Sequence, residues 1–255
     1  MKRIQHIVLP LAAVICFASC EKKNTPEPSN TNTANSAKVT IAFANEVDGQ
    51  PLELGQMKYT NAAGNLYQVN LLKYYVSNVI LVKSDNTEVN LGNYDLIDAS
   101  DLSTCKVEAA DIPNGTYTGI KFNIGIPYDR NHNGAQDGDL DPALGMIWDW
   151  NTGYVFFKHE GKYRNSSGVD KNLAFHYATD RAFTAIEVPL TNPLVVNGTA
   201  RTLKLKFNLN NLYTTPTNVD FNVDNSRQSS TAADFPWLDN LKESFSDAFI
   251  FDKVE

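Results

Sequence analysis

From residue 38 onward, apolar and polar positions alternate with a period of two. Val39, Ile41 and Phe43 are separated by Thr40 and Ala42, the mark of a strand with one buried face. Further segments rich in β-branched and aromatic residues lie at 66–72, 74–82, 94–99, 117–126, 155–163, 173–178, 185–190 and 202–209. Asp48-Gly49, Asn114-Gly115 and Asn197-Gly198 punctuate them, and each glycine tolerates the positive φ of a tight turn. Helical spacing is nearly confined to residues 237–249. There Trp237, Leu238, Leu241, Phe245 and Phe249 recur at three- and four-residue steps and predict one short amphipathic helix. The whole pattern predicts an all-β fold, an antiparallel β-sandwich with long loops and a short C-terminal helix.

The N-terminus follows a different rule. Lys2 and Arg3 precede an apolar run from Ile7 to Phe17, the order of a secretory signal and too short a run to span a bilayer as a mature helix. It ends in Phe17-Ala18-Ser19-Cys20, where small residues before a cysteine suit a lipoprotein signal peptidase. Cleavage there would leave Cys20 to be acylated; the alternative is an ordinary cleaved signal whose cysteine is incidental. Residues 21–37 are mostly Asn, Thr, Pro and Ser, too polar to bury the surface that would offset ordering, and are expected to form a tether. The expected organisation is therefore a signal over 1–19, a tether over 20–37 and one sandwich domain over 38–255. The protein would sit in the cell envelope as an outer-membrane lipoprotein, periplasmic or surface-exposed, with the membrane as a partner through its lipid.

Charge and cysteine content narrow the field. A net charge of −7, with no Lys/Arg cluster after the tether, excludes a phosphate-binding surface, so no nucleic acid is expected. Cys16 leaves with the signal and Cys20 takes lipid, which strands Cys105 without a disulfide partner; in its strand-like setting it is expected to be a small buried hydrophobe.

Residues 145–154, Gly-Met-Ile-Trp-Asp-Trp-Asn-Thr-Gly-Tyr, hold two of the three tryptophans. At period two, Trp148 and Trp150 point the same way, into the core or into a shared site. Asp139-Leu140-Asp141-Pro142 with Gly145-Met146-x-Trp148-x-Trp150-x-x-Gly153-Tyr154, then Lys158-x-Glu160-Gly161, resembles the copper-binding MbnP-like family. Residues 72–78, Phe122-x-Ile124-Gly125-Ile126 and Phe175-His176 extend the likeness over most of the mature chain. The resemblance implies a secreted or surface copper protein whose metal is held by imidazoles and, in characterised relatives, by a kynurenine that a haem-containing partner makes by oxidising a tryptophan. Imidazole suits copper, so the candidate copper residues are His176, Trp148, Trp150, His132 and His159. In this chain, residues 177–179 replace a glycine expected soon after Phe175-His176, and His159 stands where an apolar residue is usual.

A second metal is suggested by the loop 129–141. Oxygen donors at Asp129, Asn131 and Asn133, a glycine at 134, the Ala135 carbonyl and Asp137 follow the spacing of a calcium loop. Leu140 stands where a bidentate carboxylate is expected, leaving Asp139 or Asp141 to substitute, and the alternative is a solvated Asn/Gly turn that needs no ion.

No Walker loop, HExxH motif or nucleophile triad is present, so an enzyme is not expected. The leading expectation is a non-enzymatic copper-binding envelope lipoprotein. Its rivals are a lipid-anchored sandwich binding glycan or another envelope protein, with Trp148, Trp150 and Tyr154 as a stacking platform, and a purely structural surface protein.

Overall fold

The computed structural model describes residues 35–149, 153–229 and 231–255. The expected signal, Cys20 and most of the tether lie outside the described residues, as does Trp150. Along the chain run β1 (Ser36–Val47), β2 (Gln50–Pro51), β3 (Tyr59–Thr60), β4 (Leu66–Lys83), β5 (Glu88–Asp98), β6 (Lys106–Pro113) and β7 (Gly115–Ile124). A helical turn, α1 (Tyr128–Asn131), and two 3-10 turns lead to β8 (Ile147–Asp149), β9 (Gly153–Arg164), β10 (Asp170–Ala178), β11 (Thr184–Val196) and β12 (Arg201–Asn208). β13 (Ser226–Gln228), α2 (Phe235–Ala248) and β14 (Phe249–Val254) complete the domain.

The expected sandwich forms, with two sheets and α2 against them. The smaller sheet runs β14-β12-β1-β2 with β6 on β1, and the larger runs β11-β7-β4-β9-β10-β13, with β3 and β5 also on β4 and β8 on β9. Its pairings are mixed where purely antiparallel ones were expected: β1–β12 and β10–β13 are parallel. Parallel and antiparallel strands share the same period of two, so alternation is blind to the difference.

Aromatic rings fill the space between the sheets. Phe43 of β1 meets Phe122 of β7 at 5.7 Å, Phe207 of β12 meets Tyr74 of β4 at 5.1 Å, and all four are buried. Such ring pairs add about 0.5–1.5 kcal/mol each beyond the area they bury. α2 seats Leu238, Leu241, Phe245 and Ala248 on this core, with Phe245 at 5.4 Å from both Phe157 and Tyr177. The helix ends one residue earlier than its apolar spacing predicts. Phe249 is instead the first residue of β14, and its ring packs at 4.7 Å on Phe207.

The segments 66–72 and 74–82 prove to be one strand of 18 residues, β4, with bulges where its register shifts and at Asn78, whose φ is +51°. Its first half pairs with β9 and its second half with β7, so one strand ties both ends of the large sheet together. At the β4–β9 contact the backbones come unusually close. A Cβ built on Gly161 would lie 2.0 Å from the Gln68 carbonyl oxygen, a backbone atom that cannot swing aside.

Gly161→Ala should therefore destabilise the domain by about 1–3 kcal/mol, the range of overpacking. Gly119→Ala is the matched control, since its new Cβ would meet nothing nearer than 3.6 Å. It should be neutral or mildly stabilising in urea denaturation of both variants. Equal midpoints for the two would show that the strands can part at no cost.

Candidate metal centre

Alternation along β9 divides its side chains between two environments. Phe157 and His159 face the core, while Lys158 and Glu160 face outward. On β10, Phe175 and Tyr177 face the core, so His176 shares the outer face with Lys158, its direct partner across the ladder. The register extends this row over five strands: Asp98 on β5, Lys73 on β4, Lys158 on β9, His176 on β10 and Gln228 on β13.

Two lysines side by side repel. Each is matched by a carboxylate, Lys73 by Asp98 at 2.9 Å and Lys158 by Glu160 at 3.5 Å. The lysines also bind the segment that crosses above them, Lys73 Nζ donating to the Leu144 carbonyl and Lys158 Nζ to the Gly145 carbonyl, both at 3.3 Å. Gly145, at φ +72°, turns the chain out of the short 3-10 turn Pro142–Leu144 and into β8. Met146 is then buried and Trp148 lies half-buried beside His176, with ring centroids 6.0 Å apart. The Phe175-His176 and Trp148 stretches, 28 residues apart in sequence, thus meet.

His176 is 9% exposed, and its two ring nitrogens differ. Nε2 lies 2.8 Å from Glu160 Oε1, whereas Nδ1 is buried with no protein partner. Burial lowers the imidazole's basicity, and the bond to Glu160 offsets this only in part. For Glu160, burial alone would raise the carboxyl, but the bond to His176 and the charge of Lys158 outweigh it and hold the group below its ordinary range. A carboxylate oxygen that accepts from this ring requires the proton on Nε2, which leaves Nδ1 to offer its lone pair. Leaving such an acceptor buried and unpaired costs about 1–3 kcal/mol. An orphaned nitrogen with its opposite nitrogen fixed by a carboxylate is the arrangement of a metal-ligating histidine, so this imidazole fits copper. Among the described residues no group of three or more His, Cys, Asp or Glu is gathered for a metal, so further donors must be of another kind or lie outside those residues.

The other two histidines stand apart from this face. His159 is fully buried on the core side of β9, with Nδ1 bonded to the Tyr213 hydroxyl and with Tyr67 and Phe175 around its ring. Burial pushes its imidazole down to about 3. His132 is exposed on the loop after α1, its ring tilted against Tyr128 and its Nε2 2.8 Å from Asp180 Oδ2. Cys105 is a buried free thiol, and burial raises it above its ordinary range.

In the calcium-like loop, the side chains of Asn131, Asp139 and Asp141 engage separate protein groups. Asn131 Oδ1 accepts from the Tyr154 N–H, Asp139 Oδ2 from the Leu96 N–H and Asp141 Oδ1 from the Ala143 N–H. Asp129, Asn133, Ala135 and Asp137 are exposed. Asn131 is 2% exposed and acts as a clasp, its amide nitrogen also donating to Asp180 Oδ1 at 2.9 Å. This explains the Gly153-Tyr154 pair: a Cβ on Gly153 would lie 2.3 Å from Asn131 Oδ1, and Tyr154 supplies the N–H that the same oxygen accepts. Tyr154 is itself fully buried, with its hydroxyl donating to the Leu140 carbonyl, so it offers no face for a sugar to stack on.

Sequence reasoning assigned no role to Glu160, Lys158 or Lys73. Alternation places Lys158 and Glu160 opposite His159, and that signal was present. Their meeting with His176 depends on the β9–β10 register, which alternation does not specify.

The depressed His159 has a consequence for stability. Its folded value of about 3 lies below the unfolded value near 6.5, so only the unfolded chain takes up the proton between them. The stabilisation is complete above pH ~6.5 and falls by about 1.4 kcal/mol per unit as pH drops toward 3. Asp95, raised by burial and by Asp139 to about 6, acts in the opposite sense in the same window, so the comparison has to be with a variant. Urea denaturation from pH 7 to 4 should show wild type losing stability faster than His159→Gln, whose amide can still meet Tyr213. Parallel pH profiles would mean that His159 is protonated in the folded protein.

No curated protein matches the sequence. Among solved structures, MbnP from Methylosinus trichosporium superposes with a TM-score of 0.52 at 14% identity, over 77% of this chain and 82% of that one, and so shares the fold. Strands β1 to β13, the Gly153-Tyr154 clasp and the Trp148–His176 contact thus sit inside a region, residues 36–232, that matches the model of the MbnP family, and the chain belongs to that family.

Proposed function

We propose that this protein is a non-enzymatic copper binder of the bacterial envelope, carried on a lipidated Cys20. The observation that carries the reading is the buried, unpartnered Nδ1 of His176 beside Trp148. His176 would hold the metal through that nitrogen. Copper supplies a cation that accepts imidazole lone pairs more strongly than other divalent first-row metals do. A second donor would come from the tryptophan segment: a haem-containing partner converting Trp148 or Trp150 to kynurenine would replace an inert indole with a carbonyl and an aromatic amine. Lys73 and Lys158 contribute by fixing the Leu144 and Gly145 carbonyls, which holds that segment against the sheet whether or not it is modified. His159, enclosed in the aromatic core with Nδ1 on Tyr213, and His132, bonded to Asp180, serve the fold.

Purified protein titrated with Cu(II) should retain copper against a weak chelator and give a resonance spectrum with nitrogen coupling. His176→Ala should weaken retention by more than ~100-fold, beyond the 10–100-fold cost of losing an outer-sphere partner alone. Equal binding by wild type and variant would defeat the copper reading at this site.

The anchor has its own test. Mass spectrometry of the N-terminal peptide should find acylated Cys20, and Cys20→Ala should move the protein from the membrane to the soluble fraction. An unmodified start at another residue would refute lipidation.

A further inference from the structure

Glu160 is the only described group bonded to His176 through its ring. It sits diagonally across the β9–β10 ladder: Ala174 is its direct partner, and Lys158 is the direct partner of His176. Lys158 closes this triangle, 3.5 Å from Glu160 and bonded to the Gly145 carbonyl. Because the three groups stand on two rigid central strands, none of them reaches its partner through a loop. The carboxylate oxygen 2.8 Å from Nε2 can only accept. With the proton on Nδ1 instead, two lone pairs would face each other at that distance, so the contact selects a tautomer as well as a ring orientation.

We propose that Glu160 is the positioning residue of the metal centre, locking His176 as the Nε2–H tautomer so that Nδ1 is the atom this imidazole presents to copper. The assignment rests on the copper reading above for its metal, but not for its tautomer, which is a property of the protein before any metal binds. It also assigns Lys158 an indirect part, since its ammonium lies 3.5 Å from that carboxylate and donates to the Gly145 carbonyl of the crossing segment on the same face. Outer-sphere carboxylates of this kind orient the ring and raise its basicity as a ligand.

The decisive experiment begins with metal-free, 15N-histidine-labelled protein. Long-range proton–nitrogen correlation should show His176 with Nε2 protonated and Nδ1 bare. Glu160→Ala should blur this into a mixture of tautomers, and Glu160→Gln, whose amide oxygen still accepts, should largely restore it. Copper titration of the same samples should find Glu160→Ala about 10–100-fold weaker than wild type and Glu160→Gln between them. His132→Ala, remote from this face, should bind as wild type does.

A wild-type His176 protonated on Nδ1, or a Glu160→Ala protein with unchanged tautomer and copper affinity, would overturn the role of Glu160 and leave the copper reading intact. A tautomer that follows Glu160 in a protein that retains no copper would do the reverse, keeping the lock and removing the metal it was built to serve.

Discussion

The structure depends on the two-faced alternation of β9, a strand paired along both edges in the middle of the large sheet. One face adds Phe157 and His159 to the aromatic core; the other adds Lys158 and Glu160 to a polar row. A slip of one residue would exchange the faces, placing two charges among buried rings and Phe157 and His159 outside. That penalty fixes the register of β9 against β4 and β10, and fixing the register is what sets Glu160 within a hydrogen bond of His176. The Glu160–His176 contact is thus a by-product of core packing on the other side of the same sheet.

The polar row carries opposite charges in a partly buried setting, which is costly unless each is matched. Here each lysine has a carboxylate and a backbone carbonyl. Both carbonyls belong to the segment that leads to Trp148, so satisfying the lysines and holding the tryptophan beside His176 are one event. The outcome is a platform on which, among the described residues, Nδ1 of His176 is a buried side-chain atom without a partner. His159 has an unpartnered nitrogen too, but it is enclosed by Tyr67, Tyr213 and Phe175 on the core side, where a cation would lose its water with no charge to meet it.

The loop 129–141 shows how a ligand pattern can serve a structural end. Its Asp, Asn and Gly spacing suits a hard cation, yet Asn131 is the clasp that binds Tyr154 and Asp180, Asp139 accepts from the Leu96 N–H of β5, and Asp141 caps the turn that follows it. The same short oxygen-bearing side chains suit both tasks, because a peptide N–H and a cation each ask for a nearby lone pair. Here the loop is folded against β9 and the turn at Asp180.

Within the sequence itself, alternation determined the main strands and the sandwich, helical spacing determined α2 to within a residue or two, and the residue types of Gly145–Tyr154 and Phe175-His176 marked the family. These are local properties, written in side chains a few positions apart. Tertiary structure decided the rest: that 66–83 is one bent strand, that β1 pairs in parallel with β12, that Phe249 leaves the helix for a strand, and that His176 meets Trp148 and Glu160 while His159 and His132 do not. Each of those outcomes turns on which strand lies beside which and in what register. A period of two fits every such pairing equally well, and only the burial of one complete core chooses among them.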